Sequence, residues 1–208
     1  MPDRTPRIGI DFDNTLIDYD GVFVAAARDR GLIGREIAGS KRAVRDAIRL
    51  LPDGELTWQR LQGYVYGAGI GDAVAFSGAV DFLRRCAERR VELFIVSHKT
   101  RYGHFDPAHI DLREAARRWM IEQGILAPEK GGIPADHVFF EDDRASKLAR
   151  IGALGCAHFI DDLEEVFADP GFPLGVRRVL FAATGAACCD VHCKDWQQIS
   201  AAIFGDAA

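Results

Sequence analysis

Nothing in these 208 residues reads as a membrane or export segment. No apolar run approaches the roughly 18 residues that cross a bilayer, and the opening MPDRTPRIGIDFD lacks the apolar centre of a secretory signal. A basic excess is missing as well. The formal net charge is −5, which argues against a general nucleic-acid binder. A disulfide framework is also absent from the pattern: five cysteines are an odd number, in a chain long enough to bury a core without staples. There is no internal repeat and no low-complexity tract. With 48% hydrophobic and 27% charged residues, what remains is a globular composition, expected in a reducing cytoplasm with no membrane and no nucleic acid as partner. The sequence carries no signal for oligomeric state.

What is present is a rhythm. Five short apolar runs, Arg7–Phe12, Val91–Val96, His137–Phe140, Ala157–Ile160 and Arg178–Phe181, have strand length and are nearly continuous in apolar character. Strands buried on both faces by a parallel sheet read this way. Amphipathic stretches lie between them: Ala79–Arg90, with Ser77 as a candidate N-cap, Ile110–Gln123 and Arg144–Leu154. Gly124 and Gly155 stand where helix C-caps usually do. The alternation predicts an α/β class fold, a doubly wound, mainly parallel five-stranded Rossmann-like sheet.

Between about Asp18 and Ala75 the rhythm breaks. That stretch offers helical patterns, with Val44, Ile48 and Leu51 on one face, and no good strand, and it ends in a glycine cluster at Gly63, Gly67, Gly69 and Gly71. We read residues 18–75 as a small α-helical cap insertion returning through a glycine-rich hinge, and residues 1–17 and 76–208 as the core domain. Gly67, Gly69 and Gly71 do not make a nucleotide loop, because no strand precedes them and their spacing is wrong.

Ligands of open α/β sheets bind beyond the carboxyl ends of the strands. The residues found there are Asp11-Phe12-Asp13-Asn14-Thr15, Ser97-His98-Lys99, Glu141-Asp142-Asp143 and Asp161-Asp162. Asp11 and Asp13, two apart on an extended backbone, project to one side. Carboxylates gathered this way repel one another, which favours a hard cation such as Mg²⁺ or a shared proton. Glu141-Asp142-Asp143 has a second reading as a cap for the helix that follows.

These motifs, in this order, resemble those of the haloacid dehalogenase-like (HAD) hydrolase superfamily over roughly residues 7–182. Asp11-Phe12-Asp13-Asn14-Thr15 is similar to its first motif, Ser97 to its second, Lys147 to its third and Asp161-Asp162 to its fourth. The resemblance implies a phosphatase acting on a small-molecule phosphorylated substrate. Asp11 is then the nucleophile, passing through an aspartyl-phosphate, and Asp13 the acid and base. Ser97 and Lys147 hold the phosphoryl group, and Mg²⁺ sits on Asp11, the Asp13 carbonyl and Asp161 or Asp162. Thr15, Asn14 and His98 become candidates for substrate contact, although His98 has an equal reading as strand-end packing. Asp13 disfavours dehalogenation, since halide leaves without a proton. Phosphotransfer on the same site, or a regulatory protein that keeps the fold without turnover, are the alternatives.

Four other features stand apart from these motifs. Seven basic residues against three acids over Arg28–Arg49 form either an anion-attracting face or a solvated one. Trp58, Tyr64 and Tyr66 form either a stacking wall or the cap's core. Arg101, Tyr102, His104 and His109, in the loop after the second motif, are candidates for lining a pocket. Cys188-Cys189-Asp190-Val191-His192-Cys193 invites a zinc site, but adjacent cysteines are awkward ligands and no second half exists, which favours free thiols.

Overall fold

The computed structural model describes residues 5–37, 39–105 and 108–205. Strands β1 (Arg7–Ile10) and β2 (Ile17–Asp18) lead into helices α1 (Asp20–Asp29), α2 (Lys41–Ile48) and α3 (Gly54–Tyr66). Next come β3 (Val74–Ala75), α4 (Ala79–Glu88), β4 (Glu92–His98) and α5 (Leu112–Glu122). The chain continues through β5 (Val138–Glu141), α6 (Arg144–Leu154), β6 (His158–Asp161) and the single turn α7 (Glu164–Phe167). It closes with β7 (Arg177–Phe181), β8 (Val191–Cys193) and α8 (Trp196–Phe204). No helix among the described residues is long and apolar enough to cross a membrane.

Two compact units share these elements: Met1–Ile17, Ala75–Lys99 and Ile121–Ala208 form the first, Asp18–Val74 and Thr100–Met120 the second. The first unit holds a six-stranded sheet in the order β5-β4-β1-β6-β7-β8, parallel at every pairing. The chain winds outward from β1 through β4 to β5, then returns to β6 on the other side of β1 and winds outward again. That reversal makes a topological switch point beside β1, and ligands of such sheets bind beyond the carboxyl ends of the strands there.

All five expected strands are present, so the α/β, doubly wound, Rossmann-like reading holds, but the count of five needs correcting to six. The additional strand, β8, falls in the cysteine-rich run. It is three residues long and sits at the sheet edge with His192 exposed, so it shows neither a continuous apolar run nor a clear alternation. Cys193 is buried there, Cys188 and Cys189 hold their sulfurs 3.5 Å apart, and all five cysteines are free thiols.

Local chemistry explains most element boundaries. Asp143 caps α6, its carboxylate accepting from the Ser146 amide at 2.7 Å, and Gly155 ends that helix in the left-handed region at φ 64°. The capping reading of the Glu141–Asp143 cluster therefore applies to Asp143, while Glu141 accepts from Arg150 at 2.7 Å. Helix α4 begins differently from expectation: its N-cap is Gly78, at φ 84°, and not Ser77. No Cβ could be tolerated comfortably in that conformation.

In the second unit, Trp58 stacks on Phe23 with ring centroids 5.0 Å apart, and Tyr66 meets Tyr19 and Phe23 edge-on. Trp58 thus belongs to this unit's own core and the half-buried Tyr66 packs against it, whereas Tyr64 lies under the Arg30 guanidinium at 3.9 Å. The Arg28–Arg49 charges are largely spent locally: Arg45 pairs with Asp46, Arg49 with Glu55, and Arg28 donates to the Arg35 and Ile37 carbonyls. Thr100–Met120 also belongs to this unit, although the sequence pattern had assigned it to the core. The buried Trp119 indole donates to the Ala73 carbonyl at 2.9 Å. Where the chain passes between units, β2 and β3 pair with each other; two residues apiece are too few to show a strand pattern in the sequence.

Gly9 shows how tightly the central sheet is packed. A Cβ at this position in β1 would lie 2.6 Å from the ring of the fully buried Phe159. Gly9→Ala is expected to lower unfolding free energy by about 1–3 kcal/mol in urea titrations. An unchanged midpoint would show that the Phe159 ring yields freely.

Candidate active site

Register assembles the site. Ile10 pairs with Ile95 on β4 and with Ile160 on β6, so the next residue, Asp11, comes level with Asp161. The ladder continues one step past β1, with the Asp11 amide donating to the Ile160 carbonyl at 2.8 Å. Ser97, two residues beyond Ile95 on β4, reaches the same end of the sheet. After Asp11 the chain turns at once: Asn14 adopts φ 58°, its amide donates to the Ile17 carbonyl, and the Leu16 amide donates back to Phe12. Asparagine tolerates this left-handed conformation better than most residues do, which accounts for Asn14 as a backbone requirement.

The decisive side chain comes from α6. Lys147, buried in the helix's first turn, donates to Asp11 Oδ1 and to Asp161 Oδ2, each at 2.6 Å. Asp161 Oδ1 accepts from the Leu163 amide at 2.9 Å, so this carboxylate is held at both oxygens. Asp162 stands beside it, half-buried, with the Thr15 hydroxyl 3.5 Å from its Oδ1. Thr15 is itself fully buried, and its carbonyl accepts from the Trp196 indole at 3.1 Å. Asp11, Asp161 and Asp162 place one carboxylate oxygen each within 4.8 Å of one another.

That donor set fits Mg²⁺. Three hard oxygen donors converge with one ammonium among them, so an ionised cluster is left two negative charges in excess, matching a divalent cation. The Asp13 side chain stands outside this trio. Both its oxygens accept from Lys99 Nζ, at 2.9 Å each.

Lys99, to which the sequence reading assigns no role, is buried at 4% exposure. Its amide extends the β4–β5 pairing by donating to the Glu141 carbonyl at 3.0 Å. One signal could have found it: on an extended strand, Lys99 projects to the same side as Ser97. Ser97 is buried and His98 is exposed, and the Asp143 carboxyl beside them is held below its ordinary value chiefly by the hydrogen bond it accepts from the Ser146 amide. The loop residues Arg101, Tyr102 and His109 are engaged within the second unit, through an Arg101–Asp111 ion pair at 2.8 Å and a Tyr102–His109 stack at 4.0 Å. His104 is exposed.

The sequence matches no protein-family model and no curated protein. The structure does find counterparts. A haloacid dehalogenase-like hydrolase from Streptococcus pneumoniae superposes with a TM-score of 0.62 at 14% identity, over 96% of this chain and 98% of that one. The fold is that of the HAD-superfamily hydrolases. The HAD-hydrolase candidate YfnB from Bacillus subtilis, in a magnesium-bound form, gives 0.59 at 11% identity, over 98% and 100%. A HAD family hydrolase from Deinococcus radiodurans with bound phosphate and sodium gives 0.52 at 16%, over 97% and 96%. At these identities the likeness is one of fold, and the chemistry has to be argued from the side chains.

Burial pushes the Asp11 carboxyl up from 3.8 to about 7; Lys147 opposes the rise, and Asp161 and Asp13 add to it. Burial alone would lower Lys147, but Asp11 and Asp161 outweigh it and hold the ammonium above its ordinary value. Between 3.8 and about 7 the folded, metal-free chain keeps a proton on Asp11 that the unfolded chain has released. Stability from this source is complete below 3.8 and is lost as pH rises through about 7. In chelator, Asp11→Asn is therefore expected to gain stability relative to the wild type between pH 4.5 and 7.5, followed by urea unfolding. A difference that stays constant across that window would contradict the assignment.

Proposed function

We propose that this chain is a Mg²⁺-dependent phosphohydrolase that removes the phosphoryl group of a small-molecule phosphomonoester through an aspartyl-phosphate on Asp11. The observation that carries the reading is the Lys147 ammonium bridging Asp11 and Asp161 at 2.6 Å, with Asp162 completing a three-carboxylate cluster. The magnesium and the phosphate bound by two proteins of the same fold agree with it.

A carboxylate attacking a phosphate dianion meets charge repulsion, so the site must compensate before it can react. Asp11, Asp161 and Asp162 would hold Mg²⁺, together with the Asp13 carbonyl. When bound, Mg²⁺ supplies the positive charge this cluster lacks, favouring an ionised Asp11 and drawing in the phosphoryl oxygens. Lys147 fixes the Asp11 carboxylate and adds a further positive charge, and the Ser97 hydroxyl donates to a phosphoryl oxygen.

Asp11 then attacks phosphorus as the bond from phosphorus to the alcohol oxygen breaks, and Asp13 gives that oxygen its proton. In the second half Asp13 takes a proton from water, which attacks the phosphorus of the aspartyl-phosphate. Phosphate leaves and Asp11 is restored. Thr15 acts by supporting Asp162 from its buried position, Asn14 by making the turn, and the exposed His98 is open to substrate. We infer that the helical insertion over residues 18–75 sets substrate choice.

Phosphate release from a panel of small phosphomonoesters should require Mg²⁺, stop with chelator and return when metal is restored. Asp11→Asn should lower kcat by at least about 10³-fold, as removal of a nucleophile does. Turnover that survives either change would overturn the reading.

A further inference from the structure

The Lys99–Asp13 pair carries an inference that rests on the phosphohydrolase reading and deepens it. We propose that Lys99 is the positioning residue of Asp13, holding its carboxylate in place for proton transfer to and from the reacting oxygens.

Burying an ammonium is costly unless it is paired, so a lysine exposed by only 4% at the end of β4 needs a structural or chemical reason. Its Nζ meets both oxygens of Asp13 at 2.9 Å and lies 5.3 Å from the centre of the buried Phe12 ring. Its backbone is tied to β5 through Glu141. Lys99 is thus anchored at both ends. Asp13 sits past the end of β1, bridged to Ile17 through its backbone and ahead of the left-handed Asn14, with 22% of its side chain exposed. A carboxylate on such a turn has two rotatable bonds, and proton transfer needs it within hydrogen-bond reach of one oxygen. The two-point contact with Lys99 removes that freedom.

The division of labour between the two buried lysines follows from their partners. Lys147 bridges Asp11 and Asp161, whereas Lys99 holds Asp13.

A positioning role predicts a dependence on leaving group that a merely structural role does not. A nitrophenolate leaves without a proton, and a phenolate of higher basicity leaves poorly without one. The test measures kcat/KM with Mg²⁺ for substituted phenyl phosphates, from 4-nitrophenyl to unsubstituted phenyl, in the wild type, Lys99→Met, Lys99→Arg and Asp13→Asn. Lys99→Met should lose activity throughout, with phenyl phosphate falling about 10-fold or more beyond 4-nitrophenyl phosphate. Asp13→Asn should show the same steepening, and Lys99→Arg should recover part of it. Because each comparison is a ratio within one variant, a reduced folded fraction does not affect it. A leaving-group dependence in Lys99→Met parallel to the wild type's would overturn the positioning role alone. A wild type that hydrolyses none of the series, or an Asp11→Asn control that keeps the wild-type rate, would overturn the phosphohydrolase reading and this inference with it.

Discussion

The buried carboxylates that end β1 and β6 depend on one ammonium group. Asp11 and Asp161 come level on adjacent parallel strands, and Asp162 follows directly, so the sheet itself forces like charges together in a buried volume. Two desolvated carboxylates do not stay ionised side by side without compensation. Lys147 supplies the first share from the opening turn of α6, a helix that Asp143 starts at the right place. What Lys147 leaves uncompensated appears in Asp11, whose carboxyl rises to about 7. A site built in this way stores an unmet demand for positive charge, which a divalent cation would answer.

The same constraint orders the rest of the first unit. Trp196, far along the chain, supports the turn that carries Asp13 by donating to the Thr15 carbonyl, and Thr15 in turn braces Asp162. Gly9, level with Phe159 on β6, leaves free the space that the Phe159 ring fills. These residues touch no reacting atom, yet each fixes where a carboxylate stands.

Much of this was legible in the sequence, for identifiable reasons. The strands β1, β4, β5, β6 and β7 are apolar runs because a doubly covered parallel sheet demands it. Their polar ends then point to Asp11, Asp13, Ser97 and Asp161. Lys147 became legible only through the ordered motifs of a known family. What escaped was set by distance along the chain. The Lys99–Asp13 pair spans 86 residues, and no local pattern announces an ion pair of that length. Strand β8 escaped because its three residues carry no periodicity. Thr100–Met120 escaped because an amphipathic helix after β4 has the pattern of a crossover helix. Its true affiliation shows in contacts such as that between Trp119 and the Ala73 carbonyl.

The central claim is that phosphorus becomes covalently attached to Asp11. Its most direct measurement is to quench the Mg²⁺-loaded enzyme during turnover, reduce with borohydride, and sequence the peptides by mass spectrometry. An aspartyl-phosphate at position 11 reduces to homoserine, so homoserine at that position, absent when substrate or Mg²⁺ is left out, is the predicted result. Unmodified Asp11 in an enzyme that accumulates phosphorylated protein elsewhere would contradict the account.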